Sequence, residues 1–331
     1  MNVRTIVAGA VLAMGAVRAD AQCASSNPVP AQDACQKAVD LFNFFTPQLA
    51  TALAGGSHTL GQGGALAGLG HVAVDLRVTG VQGTLPKVAG VGLSTSGATA
   101  TTFAGENKYV PMLTADAAIG IWRGYSLGVT HVGGIDALVS ATYLQAFNGG
   151  DVQVKLSGDK LKFGYGVRLG LLEESLLAPG VSVSYLKRDL PVFSVSGSST
   201  VTAGGASAPG TLAINGFTLK TSSWRLTASK NLLFLGLSAG FGGDKYDASS
   251  TIIGTVNAPA PVGTQTGTAS PTLSMTRTNY FVGLSLDVLI AKLVAEAGQV
   301  TGGSLPAGLN NFGSAPDKSR SYLTVGLRIG L

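Results

Sequence analysis

This sequence predicts an all-β chain: a transmembrane antiparallel barrel of about twelve strands (about 12–14), preceded by a short N-terminal helical segment. Three observations carry the prediction. Only 12% of the 331 residues are charged and the mean hydropathy is +0.35. Beyond residue 21, however, no apolar run reaches the roughly 20 residues a helix needs to cross a bilayer. The apolar residues instead recur at every second position over segments of ten or more, longer than the roughly five or six usual in soluble sheets. The chain also ends in such a segment, with Leu323, Val325, Leu327, Ile329 and Leu331 alternating to its last residue.

Taken in order, residues 1–21 read as an export signal. Arg4 supplies the positive start, Ile6 to Val17 an uncharged core too short to span a bilayer, and Ala19-Asp20-Ala21 a small-x-small cleavage site before Gln22. Gln22 stands where a lipidation signal needs a small residue, so Cys23 does not read as a lipid anchor. Losing Arg4, Arg18 and Asp20 lowers the formal charge from +5 to +4, too mild and scattered for a nucleic-acid partner. Both cysteines, Cys23 and Cys35, fall just after the signal, and an exported chain would pair them. Two cysteines with no histidine nearby do not make a metal site, and no cofactor is indicated.

Residues 22–68 form an N-terminal helical segment and a Gly-rich linker. Asp33 is placed to cap a first short helix, with Val39, Leu41, Phe42 and Phe45 on its apolar side. Thr46-Pro47 reads as the cap of a second, from about Gln48 to Ala54, ending at Gly55-Gly56. The side chains of Phe42, Phe44, Phe45, Leu49 and Leu53 would be costly in water. The segment therefore either plugs the lumen or lies on the membrane surface at the periplasmic rim.

Residues 69–331 read as the barrel. In His71–Thr79, Val72, Val74, Leu76 and Val78 alternate with His71, Ala73, Asp75, Arg77 and Thr79. Lys160–Leu171 repeats the pattern at greater length, as do the stretches around Val181, Leu237 and Val282. Twelve strands are predicted: 69–82, 111–123, 124–132, 134–147, 150–157, 159–173, 180–196, 212–229, 232–246, 273–289, 292–301 and 320–331. The long Ser/Thr/Gly-rich connections 83–110, 197–211, 247–272 and 302–319 all follow odd-numbered strands of this set. One end of the barrel thus gets long loops and the other short turns.

The last strand resembles the terminal assembly signal of bacterial outer-membrane barrels, with Thr324, Gly326, Ile329 and Leu331 in its places and Leu331 where Phe is usual. The resemblance implies an outer-membrane location, lipid as surroundings and handling by the barrel-assembly machinery. The run Leu60-Gly61-Gln62-Gly63-Gly64-Ala65-Leu66-Ala67 is similar to the Gly-Gly-Ala region that opens long-chain fatty-acid transporter-like barrels, although the Asn-Pro-Ala that often follows there is absent. That likeness implies a plug and a small apolar solute.

The polar faces of the strands are small, including Gly164, Gly166, Gly170, Gly240 and Gly326, so the lumen has space for water, ligand or plug. Asp75, Arg77, Lys160, Lys162, Arg168, Arg225 and Arg328 are the inward charges that could set selectivity, their excess of cations favouring anions. Catalysis is not expected: His58, His71 and His131 come with no Gly-x-Ser-x-Gly elbow, and only His131, read as near an outer turn, is placed to meet a serine. The function expected is a channel or transporter for small, apolar molecules. The alternatives are a non-conducting adaptor working through its loops, and a lipid hydrolase.

Overall fold

The computed structural model describes residues 22–23, 27–88, 91–149, 152–203, 206–258, 260, 263–305 and 307–330. Residues 1–21, read above as an export signal, and Leu331 lie outside these. Among the described residues, ten antiparallel strands close a ring: β1 (Val72–Pro86), β2 (Gly105–Trp122), β3 (Gly134–Tyr143), β4 (Leu161–Leu172), β5 (Gly180–Asp189), β6 (Ala206–Leu232), β7 (Leu235–Asn257), β8 (Thr272–Val288), β9 (Ala291–Thr301) and β10 (Arg320–Gly330). Each pairs with its neighbours in the chain, and the ring closes where β1 pairs with β10, Val74 opposite Ile329 and Val78 opposite Val325.

The difference from the roughly twelve strands of the sequence pattern lies in short segments off the ring. Residues 124–132 hold a small hairpin, Tyr125–Leu127 with Thr130–Val132, in one turn. Val152–Leu156 pairs with Phe193–Ala203, which pairs in turn with the upper part of β6. The stretches 197–211 and 247–272 are not loops: they hold the ends of β6 and β7 and the strands Phe193–Ala203 and Thr264–Ala269. Ser and Gly have weak intrinsic β preference, and the interspersed Thr residues and cross-strand pairing supply what they do not.

The faces of the sheet are inverted relative to a soluble protein. Phe163, Tyr165 and Val167 on β4 point outward and are 67%, 69% and 57% exposed, while the next inward residue, Arg168, is fully buried. Val74, Leu76, Tyr280, Val282, Leu323 and Val325 continue the apolar outer belt around the ring. A soluble sandwich would put these residues between sheets; a greasy exterior around a charged interior requires lipid outside. No described helix is long and apolar enough to cross a membrane.

The N-terminal segment fills the barrel from end to end. It is one helix, α1 (Val29–Ala54), and not the two expected, because Pro47 is accommodated inside it. Pro47 lacks the N–H that would reach the Asn43 carbonyl one turn back, yet the helix runs through it, and beside it the Thr46 hydroxyl donates to the Phe42 carbonyl at 2.7 Å. The helix enters at the end bearing the long connections, which the loop-length rule makes the external one. There it lies so close to β7 that a Cβ on Gly254 would stand 2.5 Å from the Cys35 nitrogen, so this position admits only glycine. The helix ends at Gly55 beside Tyr322, and residues 56–71 descend to the periplasmic mouth: Leu60 against Gly326, Ala65 against Gly134 and Gly170, Gly68 against Gly120. Of the small inward residues noted in the strands, Gly170 and Gly326 seat this descending segment, while Gly164, Gly166 and Gly240 make room for the wall side chains Arg188, Leu186 and Phe281. Cys23 and Cys35 form a disulfide that ties the start of the helix to the residues before it.

Candidate functional site

The lumen divides into a charged lower layer and an apolar upper one. In the lower layer Arg77 of β1 donates from Nε to Asp116 of β2 at 2.9 Å and from Nη1 to the Gly55 carbonyl at 3.0 Å. Arg188 of β5 reaches the same Asp116 at 3.1 Å, Ser140 at 3.0 Å and the Leu53 carbonyl at 3.4 Å. Two arginines therefore meet the C-terminal carbonyls of α1, the end of a helix that attracts cations. Arg168 pairs with Asp136 at 2.7 Å and donates to Thr59, while both Asp136 oxygens accept from the Leu66 nitrogen at 3.1 Å. Arg225 pairs with Glu296 at 2.9 Å beneath the ring of Phe281, and the Tyr322 hydroxyl also donates to Glu296. His58, at the centre, sits between the hydroxyls of Ser184 and Ser223, each 2.9 Å from a ring nitrogen.

Paired charges of this kind gain little over an apolar core, but removing one partner strands the other. Their effect is to lock the plug: wall arginines hold helix carbonyls, and a wall aspartate holds a linker amide. Asp75, Arg77, Arg168 and Arg225 of the sequence-derived set are fully buried in this layer. Arg328 lies at its periplasmic edge, donating to the Leu60 carbonyl at 2.6 Å. Lys162 is half-buried on the inner face of β4 near the outer rim. Lys160 is exposed in the connection before β4 and does not line the lumen, a correction that follows from β4 starting at Leu161. In the lower layer the expected cation excess is offset in part, because Asp116, Asp136 and Glu296 pair with the arginines, Arg188 among them. The period-two pattern of the strands already places these four residues inward, and that is the signal that reveals them.

The upper layer is built on α1. Phe42 meets Phe217 edge-on at 5.6 Å, and Phe44 stacks on Phe312 at 4.9 Å. Leu53 is buried, whereas Phe45 and Leu49 are half-buried. The Gln48 amide bonds the backbone of Thr84 in both directions, accepting from its nitrogen at 2.8 Å and donating to its carbonyl at 3.3 Å. At the top, Asp33 accepts from the backbone of Ser94 and Thr99 and pairs with Lys37, and Asp40 accepts from the Asn310 nitrogen at 2.9 Å. Burial pushes the Asp40 carboxyl above its ordinary value, against the pull of its bonds to Asn310 and Gln36. A cavity of about 590 Å³ separates the helix from the wall on the side of β1, β2 and β6. A second, of about 890 Å³, opens at the periplasmic mouth between linker residues and the turns around Glu174 and Leu233.

The structure corrects the position of one histidine as read from sequence. His131 is in the periplasmic hairpin, 2.7 Å from Glu173, and not near an outer turn. The hairpin displaced it, because residues 124–132 do not cross the membrane. Thr324 is buried within hydrogen-bond reach of Thr79, Gly326 packs on Leu60, and Ile329 is paired with Val74 in the closing seam.

No family model and no curated protein matches the chain. Among solved structures it is similar to the outer-membrane protease OmpT from Escherichia coli, at 12% identity over 79% of this chain and 97% of that one, with a TM-score of 0.40. It is also similar to the attachment invasion locus protein Ail of Yersinia pestis, at 7% identity over 80% and 99% with a TM-score of 0.28. For the Pseudomonas putida toluene transporter TodX the values are 12%, 78% and 87%, and 0.31. The closed ring, lipid-facing belt and charged interior define the class by themselves: a transmembrane β-barrel of the bacterial outer-membrane kind, plugged by its own N-terminus.

Proposed function

We propose that this barrel takes up a small apolar molecule at the external face, with α1 forming one wall of the binding pocket and the charged layer below acting as the barrier. The cavity of about 590 Å³ carries this reading. Its walls are Leu41, Phe42, Phe45 and Leu49 from the helix, and Leu85, Val110, Leu190, Phe193, Leu212, Ile214 and Phe217 from the barrel and its external strands. Both size and lining suit a small-molecule site, and each Å² of solute surface moved out of water contributes about 25 cal/mol. Polar groups are few: Gln48 and Gln145 inside, with Lys87, Glu106 and Lys108 at the edge. Both lysines lie 2.8 Å from Glu106 and hold its carboxyl down to about 2, so the entrance stays ionised while the interior offers nothing to an ion. The reading assigns no chemical step to the protein.

The test is titration of the detergent-purified barrel with N-phenyl-1-naphthylamine, whose fluorescence rises in apolar surroundings, alongside planar-bilayer recording. Expected are saturable binding that weakens at least tenfold in Leu49→Gln, about 1.4 kcal/mol, and no steady ion conductance in either protein. Equal titration of wild type and variant would refute the pocket, and a steady open conductance in wild type would refute the barrier.

A further inference from the structure

The upper lumen holds a polar cluster on the side of α1 away from the apolar cavity. Arg277 of β8 and Arg320 of β10 face inward on either side of Val300 of β9, and are 1% and 3% exposed. The four arginines of the lower layer each have a carboxylate at 2.7–3.1 Å. Among the described residues, Arg277 and Arg320 have none within 4.0 Å. Arg277 donates from Nε to the Gly302 carbonyl at 3.0 Å and from Nη2 to the carbonyls of Val300, Asp317 and Lys318, which leaves Nη1 without a partner. Arg320 donates only from Nη1, to the Gln82 carbonyl at a long 3.5 Å, with the Phe44 ring 5.9 Å away; its Nε and Nη2 are unpartnered. The Tyr246 hydroxyl, fully buried on β7, lies beside the Arg277 guanidinium and makes no hydrogen bond within 3.5 Å. Asp244, opposite Arg277 in the ladder, is the carboxylate beside the cluster: its Oδ2 accepts from Asn279, its Oδ1 is unpartnered, and it balances only one of the two positive charges.

An uncompensated buried guanidinium is among the most expensive groups a protein can carry. Four vacant donors and a residual positive charge call for an occupant that accepts from several sides. A water molecule accepts at most twice and leaves the residual charge uncancelled, although Asp244 Oδ1 and Asn279 Oδ1 could take its protons. An anion accepts all round and cancels the charge. We propose that Arg277, Arg320 and Tyr246 hold a small inorganic anion, a halide or a phosphate-type oxyanion, beneath the 302–319 connection whose Asp317 and Lys318 carbonyls already fasten Arg277. The site is separate from the apolar pocket, because Phe44 faces the arginines while Phe42 and Phe45 face the pocket.

Bromide NMR line broadening on the purified full chain tests this. The expected result is excess broadening in wild type that chloride reverses, and that falls at least tenfold in Arg320→Gln and severalfold in the milder Tyr246→Phe. Each variant is first checked for folding by its heat-shifted gel band. Displacement of bromide by phosphate at a lower concentration than by chloride assigns an oxyanion, and the reverse order a halide. Crystals grown in bromide should show an anomalous peak within hydrogen-bond distance of Arg320 Nη2 and Tyr246 Oη. No excess broadening, equal broadening in Tyr246→Phe, or only water at that position would overturn the proposal.

Discussion

Where α1 meets the upper wall, the contacts are aromatic rings and aliphatic chains, with a cavity left between them. Where residues 55–71 meet the lower wall, they are arginine donations to the Gly55 and Leu60 carbonyls, the Asp136 carboxylate on the Leu66 amide and glycine backbones in van der Waals contact, all set on arginine–carboxylate pairs within the wall itself. The two halves of the plug are thus held by different physics. Apolar packing depends on volume and tolerates a gap large enough for a solute. A charged layer depends on pairing and tolerates no vacancy. The upper half can exchange contents while the lower half stays shut, and loss of one residue should have different consequences in each.

The largest effect is expected at Asp116, the carboxylate shared by Arg77 and Arg188. Asp116→Ala leaves two buried cations without their partner and should cost at least about 3–5 kcal/mol. The urea midpoint of the heat-shifted gel band should drop, and conductance should appear as the arginines release the Leu53 and Gly55 carbonyls. A stable, silent Asp116→Ala barrel would show that the charged layer does not lock the plug.

Next comes the disulfide at the external end. Replacing Cys23 and Cys35 with serine reopens a loop of 12 residues, at a cost of about 3 kcal/mol if chain entropy dominates. Because the bridge lies far from the charged layer, external protease should gain access to the N-terminus while conductance stays closed. Conductance opening in this variant would merge the two halves into one cooperative unit.

A buried amide should matter less. Gln48→Leu leaves the nitrogen and carbonyl of Thr84 without their bonds from the helix, a loss of about 1–3 kcal/mol. The same residue lines the apolar cavity, so naphthylamine binding should tighten as stability falls. Weakened dye binding would mean that Gln48 contacts the solute.

The two regions also differ in how far the sequence reveals them. The lower wall was legible because strict alternation assigns each strand residue to lipid or lumen: Asp75, Arg77, Arg168 and Arg225 lie where the pattern puts them. The path of the plug was not. Gly61, Gly63 and Gly64 read as a free linker, since nothing local records that Gly120, Gly134 and Gly170 on three distant strands are small to receive it. Thr46-Pro47 imitates a helix start because a cap residue followed by proline looks the same whether a helix begins there or runs through, and here the Thr46 hydroxyl bonds back to Phe42 of the same helix. The external stretches 197–211 and 247–272 read as loops because Ser, Thr and Gly punctuate turns as readily as they fill a paired ribbon. Phe193, Leu212 and Phe217 fall within strands that the pattern does predict, 180–196 and 212–229; what no local signal records is that α1 stands beside them and closes an apolar cavity.

The smallest effect belongs to Asp40, where the external connection 302–319 rests on α1. Its carboxyl accepts from Asn310 and Gln36 but is buried, and burial wins, raising its affinity for a proton above that in the unfolded chain. The native state then binds more protons than the unfolded one, so this group's contribution to stability falls as pH rises through its folded value and is fully favourable below the ordinary carboxylate value near 4. Proteolysis within 302–319 should accordingly slow severalfold on acidification from neutral pH. Asp40→Asn keeps an acceptor oxygen for the Asn310 nitrogen without the charge, and should show the slow rate at every pH. If the variant keeps the wild-type pH dependence, the group that loosens this connection lies elsewhere, and the upper layer owes its order to the packing of Phe44, Phe103 and Phe312 alone.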